Sequence, residues 1–145
     1  MESELSVSLN ERKSKCQGLI LVVDDDPIHQ KLMDVVARRL GLTMHMVSSC
    51  GQVIDALSMF SFDLILMDYR MPEIDGCSCA KRIRMMEKIQ YIPIIAVTAD
   101  VFTGTREACL EAGMDDFLAK PFTLDGLQEK ICYWLQKKTE QNCRS

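Results

Sequence analysis

The stretch Asp63-Leu64-Ile65-Leu66-Met67-Asp68-Tyr69-Arg70-Met71-Pro72-Glu73-Ile74-Asp75-Gly76 sets an apolar run directly before an acidic loop broken by proline. Four apolar residues in succession fit a strand buried on both faces, and Asp68 stands where that strand ends. The same junction recurs three times. Leu19-Ile20-Leu21-Val22-Val23 leads into Asp24-Asp25-Asp26, Pro93-Ile94-Ile95-Ala96-Val97 into Thr98, and Phe117-Leu118-Ala119 into Lys120-Pro121. If these runs are parallel strands, their polar ends share the carboxyl edge of one sheet, where open α/β sheets bind ligands. One Asp after a strand is an ordinary turn former or helix cap, and Asp26 reads that way. Four such ends on one edge favour a built site.

Helical patterns separate the runs. Asp26 and Pro27 read as N-cap and first helical position of a helix to about Leu40. Its inward face is expected to carry Ile28, Leu32, Val35, Val36 and Leu40, and Gly41 ends it. Thr43–Val47 reads as a second strand. Ser49 caps a helix from Cys50 to about Phe60, with Val53, Ile54 and Leu57 inward. A third helix covers Gly76 to about Lys88, with Cys79, Ala80, Ile83 and Met86 inward. A weaker one covers Thr103–Ala112 and stops at Gly113. After Thr123 a last helix runs to about Lys137, with Leu124, Leu127, Ile131 and Trp134 or Leu135 inward.

Five strands alternating with five helices give an α/β fold, a doubly wound five-stranded parallel sheet with helices on both faces. The alternation leaves the strand order open. Residues 1–17, rich in Ser and charge, read as a flexible tail or linker, 18–137 as one domain, and 138–145 as a flexible C-terminal tail.

A length of 145 residues with 48% hydrophobic content favours one domain with a real core and excludes a disordered chain. The net charge of -4 argues against a nucleic-acid partner, which needs a basic face. Glu2 and Glu4 stand where a signal peptide would be basic, and no apolar stretch approaches membrane-spanning length. The expected location is cytoplasmic, or the cytosolic face of a membrane-bound assembly, with no membrane contact by this domain. The seven cysteines are an odd number without paired zinc spacing. Cys50, Cys109 and Cys132 lie in apolar helical patterns and read as reduced, buried residues, whereas Cys16 and Cys143 read as exposed.

Asp24, Asp25 and Asp68 meet if the first and third strands are neighbours. Like charges that close repel unless a cation joins them, and hard carboxylate oxygens suit Mg²⁺, with Mn²⁺ as an alternative. Asp68 is the candidate nucleophile, and its attack on a phosphoryl donor would give an aspartyl phosphate. Such transfers depend on positioning and charge neutralisation. The Lys120 ammonium supplies a positive point, and the Thr98 hydroxyl and the Ala99 N–H supply donors. His29, the histidine near the site, is expected to be solvated.

The motifs Leu21-Val22-Val23-Asp24-Asp25-Asp26-Pro27, Leu66-Met67-Asp68-Tyr69-Arg70-Met71-Pro72-Glu73-Ile74-Asp75-Gly76, Ala96-Val97-Thr98-Ala99 and Phe117-Leu118-Ala119-Lys120-Pro121-Phe122 closely resemble the receiver domain of two-component response regulators, over about residues 18–137. The resemblance implies a flavodoxin-like strand order 2-1-3-4-5. It implies Asp68 as phospho-acceptor, Asp24 and Asp25 as the acidic Mg²⁺ pair, and the Arg70 backbone carbonyl as a further ligand. Thr98 resembles the switch hydroxyl, Phe117 the switch aromatic, and Lys120 the family lysine that precedes a cis bond to proline. Arg70 and Asp100 fall where the family tunes phosphoryl lifetime.

The implied partners are a histidine kinase or histidine phosphotransfer protein as donor, and a downstream protein or parent kinase domain as target. Donors dock in the family on the first helix, where His29, Gln30 and Met33 are expected to be exposed. Val101 and Phe102 read either as an apolar patch on the output side or as packed against the sheet. The Ser-rich start and the Asp-Pro motif lean toward the receiver of a hybrid sensor kinase over a stand-alone protein. The resemblance does not imply an enzyme that turns over outside substrates. Haloacid-dehalogenase-like phosphatases place a second Asp two residues after the nucleophile, and here that residue is Arg70. A pseudo-receiver would lack part of the acidic pair, the acceptor or the lysine, and a flavin site would need a Ser/Thr-rich loop after the first strand.

Overall fold

Strand β3, Leu64–Asp68, lies at the centre of a five-stranded sheet with β1 (Leu19–Val23), β2 (Thr43–Val47), β4 (Ile94–Thr98) and β5 (Asp116–Ala119). The computed structural model describes residues 17–71, 74–86, 91–99 and 103–144. All four pairings are parallel, in the order β2-β1-β3-β4-β5. The expected N-terminal tail through residue 16, Asp100, and the patch at Val101 and Phe102 lie outside the described residues.

Both faces of the sheet are apolar, which is why the strand sequences run unbroken. On one face Leu64 and Leu66 pack with Ile20, Val22, Ile95 and Val97 beneath α1 (Pro27–Leu40) and α5 (Leu124–Arg144). On the other, Ile65 and Met67 pack with Leu21, Val23, Ile94 and Ala96 beneath α2 (Cys50–Met59), α3 (Gly76–Arg84) and α4 (Thr103–Glu111). Asp26 caps α1 by accepting from the Ile28 N–H at 2.9 Å, and Asp75 caps α3 by accepting from the Ser78 N–H at 2.8 Å. Lys130 and the Trp134 indole N–H both donate at 2.8 Å to Asp116, pinning α5 to β5 beside Phe117.

The structure departs from the sequence reading in four places. First, α1 buries Met33, Val36, Ala37 and Leu40, while Ile28 (75% exposed), Leu32 (53%) and Val35 (49%) point outward. Two apolar stripes overlap on this helix, and Met33 joins the inward one because its spacing to Val36, Ala37 and Leu40 is the helical three-and-four repeat. Second, α3 stops at Arg84, short of Lys88. The Met85 N–H is shared among the Lys81, Arg82 and Ile83 carbonyls, a tightening typical of a helix end. Third, α5 continues to Arg144, beyond the end expected at about Lys137. Neither Pro nor Gly occurs after Gly126 to break it.

Fourth, Cys50 and Cys79 are joined by a disulfide, with Cα atoms 5.7 Å apart, and Cys132 is disulfide-bonded as well. Cys50 and Cys132 were expected as reduced thiols. Cys50 opens α2 and Cys79 lies in α3, and the two helices set them in one buried layer over the sheet. Their 29-residue separation hides that meeting from a linear reading. Cys109 is a free, buried thiol as expected.

At the amino edge of the sheet, Arg84 donates to Asp115 at 2.8 Å and to the Gly113 carbonyl at 2.9 Å. Asp115 also accepts from the Ile94 N–H at 2.8 Å. This clamp ties α3 to the starts of β4 and β5. Gly113 has φ 101°, and a Cβ there would meet Arg84 Cγ at 2.8 Å. Gly113→Ala is expected to cost about 1–3 kcal/mol, measured as a lowered midpoint of urea unfolding with an unchanged slope.

Candidate functional site

The carboxyl ends of β1, β3, β4 and β5 meet at one edge. Asp24 follows β1 directly, and its N–H donates to the Val47 carbonyl at 3.0 Å, which continues the β1–β2 ladder by one residue. Asp68 and Thr98 are themselves the last residues of β3 and β4, paired with Val97 and Ala119. The Lys120 N–H donates to the Thr98 carbonyl at 2.8 Å, and the Lys120–Pro121 peptide is cis. Sheet hydrogen bonds therefore fix each backbone that carries a polar group, and the strand order makes β1 and β3 neighbours.

Carboxylate oxygens of Asp24, Asp25 and Asp68 lie within 4.8 Å of one another. Asp24 is buried and Asp25 exposed, so the cluster opens outward on one side. Lys120 Nζ stands 3.9 Å from Asp68 Oδ1, and the Arg70 N–H donates to the same oxygen at 3.3 Å. Thr98 is buried, and Ala99 lines a cavity of about 400 Å³ together with Asp24, Asp68 and Lys120. Phe117 is half-buried against the core on the α2–α4 face. Asp68, Asp24, Asp25, Lys120, Thr98 and Ala99 thus come to one edge, and Phe117, three residues before Lys120 on β5, packs against the α2–α4 face.

The loop between Asp68 and α3 is tightly folded. The Gly76 N–H donates to the Tyr69 carbonyl at 2.8 Å. A Cβ on Gly76 would lie 2.8 Å from the Asp68 carbonyl oxygen. Only glycine lets α3 start this close to the end of β3.

Two residues gain roles that the sequence reading missed. His29 is not merely solvated: Nδ1 lies 3.1 Å from Asp24 Oδ2, and Nε2 lies 3.6 Å from Asp26 Oδ2. Gln30 donates to the Asp24 carbonyl at 2.6 Å and to Ser48 Oγ at 3.1 Å, fastening α1 and the β2–α2 loop to the acidic end of β1. Both lie within the first turn and a half after the Asp-Pro start, the part of a helix that faces back to the loop before it. Met33, expected beside them on the exposed side, is buried.

Burial lifts the Asp68 carboxyl above its ordinary value. Lys120 and the Arg70 N–H offset part of that lift, and the Asp24 and Asp25 charges add to it. Three hard carboxylates, one of them held against its preference for the charged form, fit a divalent cation such as Mg²⁺.

The chain belongs to the response regulator receiver domain family, whose model matches residues 20–132. It is therefore a receiver domain of two-component signalling. Sensor histidine kinase RcsC of Salmonella typhi is 35% identical over 122 residues, covering 82% of this chain. The chain spans 12% of that kinase's length. Among solved structures, the receiver domain of sensor histidine kinase PA1611 from Pseudomonas aeruginosa PAO1, with a magnesium ion coordinated in its active-site cleft, is 39% identical with a TM-score of 0.75. The match covers 82% of this chain and 98% of that one. The receiver domain of Ssk1 from Saccharomyces cerevisiae, solved with the histidine phosphotransfer protein Ypd1, is 27% identical with a TM-score of 0.74, covering 80% of this chain and 87% of that one. The flavodoxin-like order expected from the resemblance is the order observed.

The raised Asp68 value carries a sign. The folded protein holds this proton at pH values where the unfolded chain has released it. Stability is therefore lost as pH rises from the ordinary carboxylate range through the raised one. Asp68→Asn is expected to raise the urea midpoint of the metal-free protein at pH 7, and the gain should vanish below about pH 4, near the ordinary aspartate value. Parallel urea titrations at the two pH values check it; a destabilised variant at pH 7 would contradict the assignment.

Proposed function

We propose that this domain accepts a phosphoryl group on Asp68 from a phosphohistidine and uses the modification to switch a protein-binding surface. The observation that carries the reading is the meeting of three carboxylates within 4.8 Å with Lys120 3.9 Å from the acceptor oxygen. Asp24 and Asp25, with the Asp68 carboxylate and the Arg70 carbonyl, would hold Mg²⁺, and Mn²⁺ fits the same donors. A bound ion supplies charge neutralisation for the phosphoryl oxygens. Asp68 attacks phosphorus as the bond to the donor imidazole nitrogen breaks. Lys120 holds a phosphoryl oxygen by charge, and the Thr98 hydroxyl and Ala99 N–H donate to others. Thr98 then draws toward the phosphoryl group and Phe117 turns inward behind it. Arg70 and Asp100 set how long the phosphoryl group lasts.

The residues act on their own acceptor and not on a stream of outside substrates. Arg70 occupies the position where a phosphatase of the aspartyl type needs a second carboxylate. The donor is a histidine kinase or a histidine phosphotransfer protein, and the target is a downstream protein or the kinase domain of a longer parent chain. This reading places the domain in the cytoplasm or on the cytosolic face of a hybrid kinase. Among the described residues, no helix is long and apolar enough to cross a membrane.

Intact-protein mass after incubation with acetyl phosphate and Mg²⁺ tests the acceptor. One phosphoryl mass is expected, abolished by EDTA and by Asp68→Ala. In the same assay Arg70→Ala should alter the decay of the phosphoprotein severalfold with no change in unfolding midpoint. A phosphorylated Asp68→Ala protein would overturn the assignment.

The outward stripe Ile28, Leu32 and Val35 adjoins the site, and Leu32 lines the cavity that holds Asp68. An exposed apolar row along a helix fits a partner's helix surface. Val35, on the same stripe but outside that cavity, separates docking from chemistry: Val35→Glu is expected to slow transfer from a phosphorylated histidine phosphotransfer protein about tenfold, roughly the loss of one buried apolar side chain, while phosphorylation by acetyl phosphate is unchanged. Equal slowing of both donors would place the effect in the acceptor site instead.

A further inference from the structure

Four of the seven cysteines lie in one layer over the α2–α4 face of the sheet. Cys50 and Cys79 are already bonded to one another. Beside them, Cys77 in the first turn of α3 and Cys109 in α4 are free thiols whose Sγ atoms are 3.9 Å apart. Cys109 is 1% exposed, whereas Cys77 is half-buried and reachable from solvent. The position of this pair matters. Cys77 follows Gly76, whose N–H is tied to the Tyr69 carbonyl next to the acceptor. Cys109 sits in α4, the helix that follows the strand ending at Thr98. The pair spans the gap between the acceptor loop and the element beyond the switch hydroxyl.

We propose that Cys77 and Cys109 form a redox modification site, a dithiol that a hydroperoxide converts to a disulfide joining α3 to α4. The Cys77 thiolate attacks the outer peroxide oxygen, giving a sulfenic acid and releasing water from hydrogen peroxide. The Cys109 sulfur then attacks the sulfenic sulfur, forming the S–S bond and expelling hydroxide, which takes up the Cys109 proton to leave as a second water. The balance is two thiols and one hydrogen peroxide to one disulfide and two waters. The bond requires a closing movement of under 2 Å from the 3.9 Å contact, since a disulfide spans about 2.0 Å. Burial raises both thiols, Cys109 to about 12, so the pair rests as a dithiol.

The consequence for signalling rests on the reading of Asp68 as phospho-acceptor. A covalent tie between α3 and α4 holds α4, the helix that follows the strand carrying Thr98, in its resting place and so opposes the draw of Thr98 toward the phosphoryl group. Oxidation is therefore expected to reduce phosphorylation of Asp68 severalfold.

The test treats the full chain with hydrogen peroxide, blocks residual thiols, and maps tryptic peptides without reduction. A new link between the peptides Met71–Lys81 and Glu107–Lys130 is expected, absent in Cys77→Ser and in Cys109→Ala. Phosphorylation by acetyl phosphate should then fall in the oxidised wild type, recover on reduction, and stay unaffected by oxidant in Cys77→Ser. Absence of the new link after prolonged oxidation would overturn the site. Its formation with unchanged phosphorylation would overturn the coupling. Failure of the reduced wild type to gain any phosphoryl group would count against the acceptor reading alone, since the peptide map still decides the disulfide.

Discussion

Everything at the carboxyl edge depends on holding three like charges together. Asp24, Asp25 and Asp68 repel one another, and burial makes the ionised form of Asp68 harder still to hold. Lys120 and the Arg70 N–H offset only part of that cost. Lys120 stands 3.9 Å from Asp68, too far for a close hydrogen-bonded pair. The sheet supplies the energy instead. β1 and β3 are bound side by side along Ile20–Val23, and their side chains are buried on both faces. A carboxylate fixed to the end of such a strand has no route away from its neighbour. The site is therefore strained electrostatically and rigid mechanically, a combination that favours capture of a cation and of a group whose charge that cation can balance.

That arrangement was legible in the sequence to an unusual degree, and the reason is physical. Continuous apolar runs mark two-sided burial, and burial ends abruptly at the site, so Asp24, Asp68, Thr98 and Lys120 announce themselves as breaks in hydrophobicity. What was not legible was orientation around a helix. Ile28, Leu32 and Val35 have the composition of a core stripe, yet α1 turns them outward and buries Met33 and Ala37. Periodicity finds a stripe but does not say which of two overlapping stripes meets the sheet. The same limit hid Gln30 and His29, whose importance comes from reaching back over the helix start to Asp24. The cysteine layer was illegible for a different reason. Cys50, Cys77, Cys79 and Cys109 share no spacing motif, and only the crossover geometry of successive helices brings them together.

The comparisons with other proteins strengthen the fold and the class more than any single residue. A receiver domain 39% identical holds magnesium in its cleft, and another was solved with a phosphotransfer protein. Those facts describe the relatives. What this chain contributes is the donor set itself, with Asp68, the Asp24–Asp25 pair, Thr98 and Lys120 all at the same edge. A binding module that had lost phosphoryl chemistry would have no reason to keep a destabilising carboxylate cluster, since removing any one member would relieve repulsion. The whole costly set stands at one edge, as the proposed phosphoryl transfer requires.

The two faces of the sheet divide the work. The apolar stripe of α1 adjoins the acceptor on one face, and the thiol pair lies on the other, between α3 and α4. A partner seated against Leu32 and Val35 would approach without touching Cys77 or Cys109. β4 runs between the two faces, with Val97 packed toward α5 and Ala96 toward α3 and α4, and it ends at Thr98. Any displacement of Thr98 toward the acceptor is therefore felt on both sides. A tie between α3 and α4 would act on that displacement and leave the α1 stripe intact. The proposed donor recognition and the proposed redox control are thus separable in this fold, because the strand between them is the one that ends at Thr98.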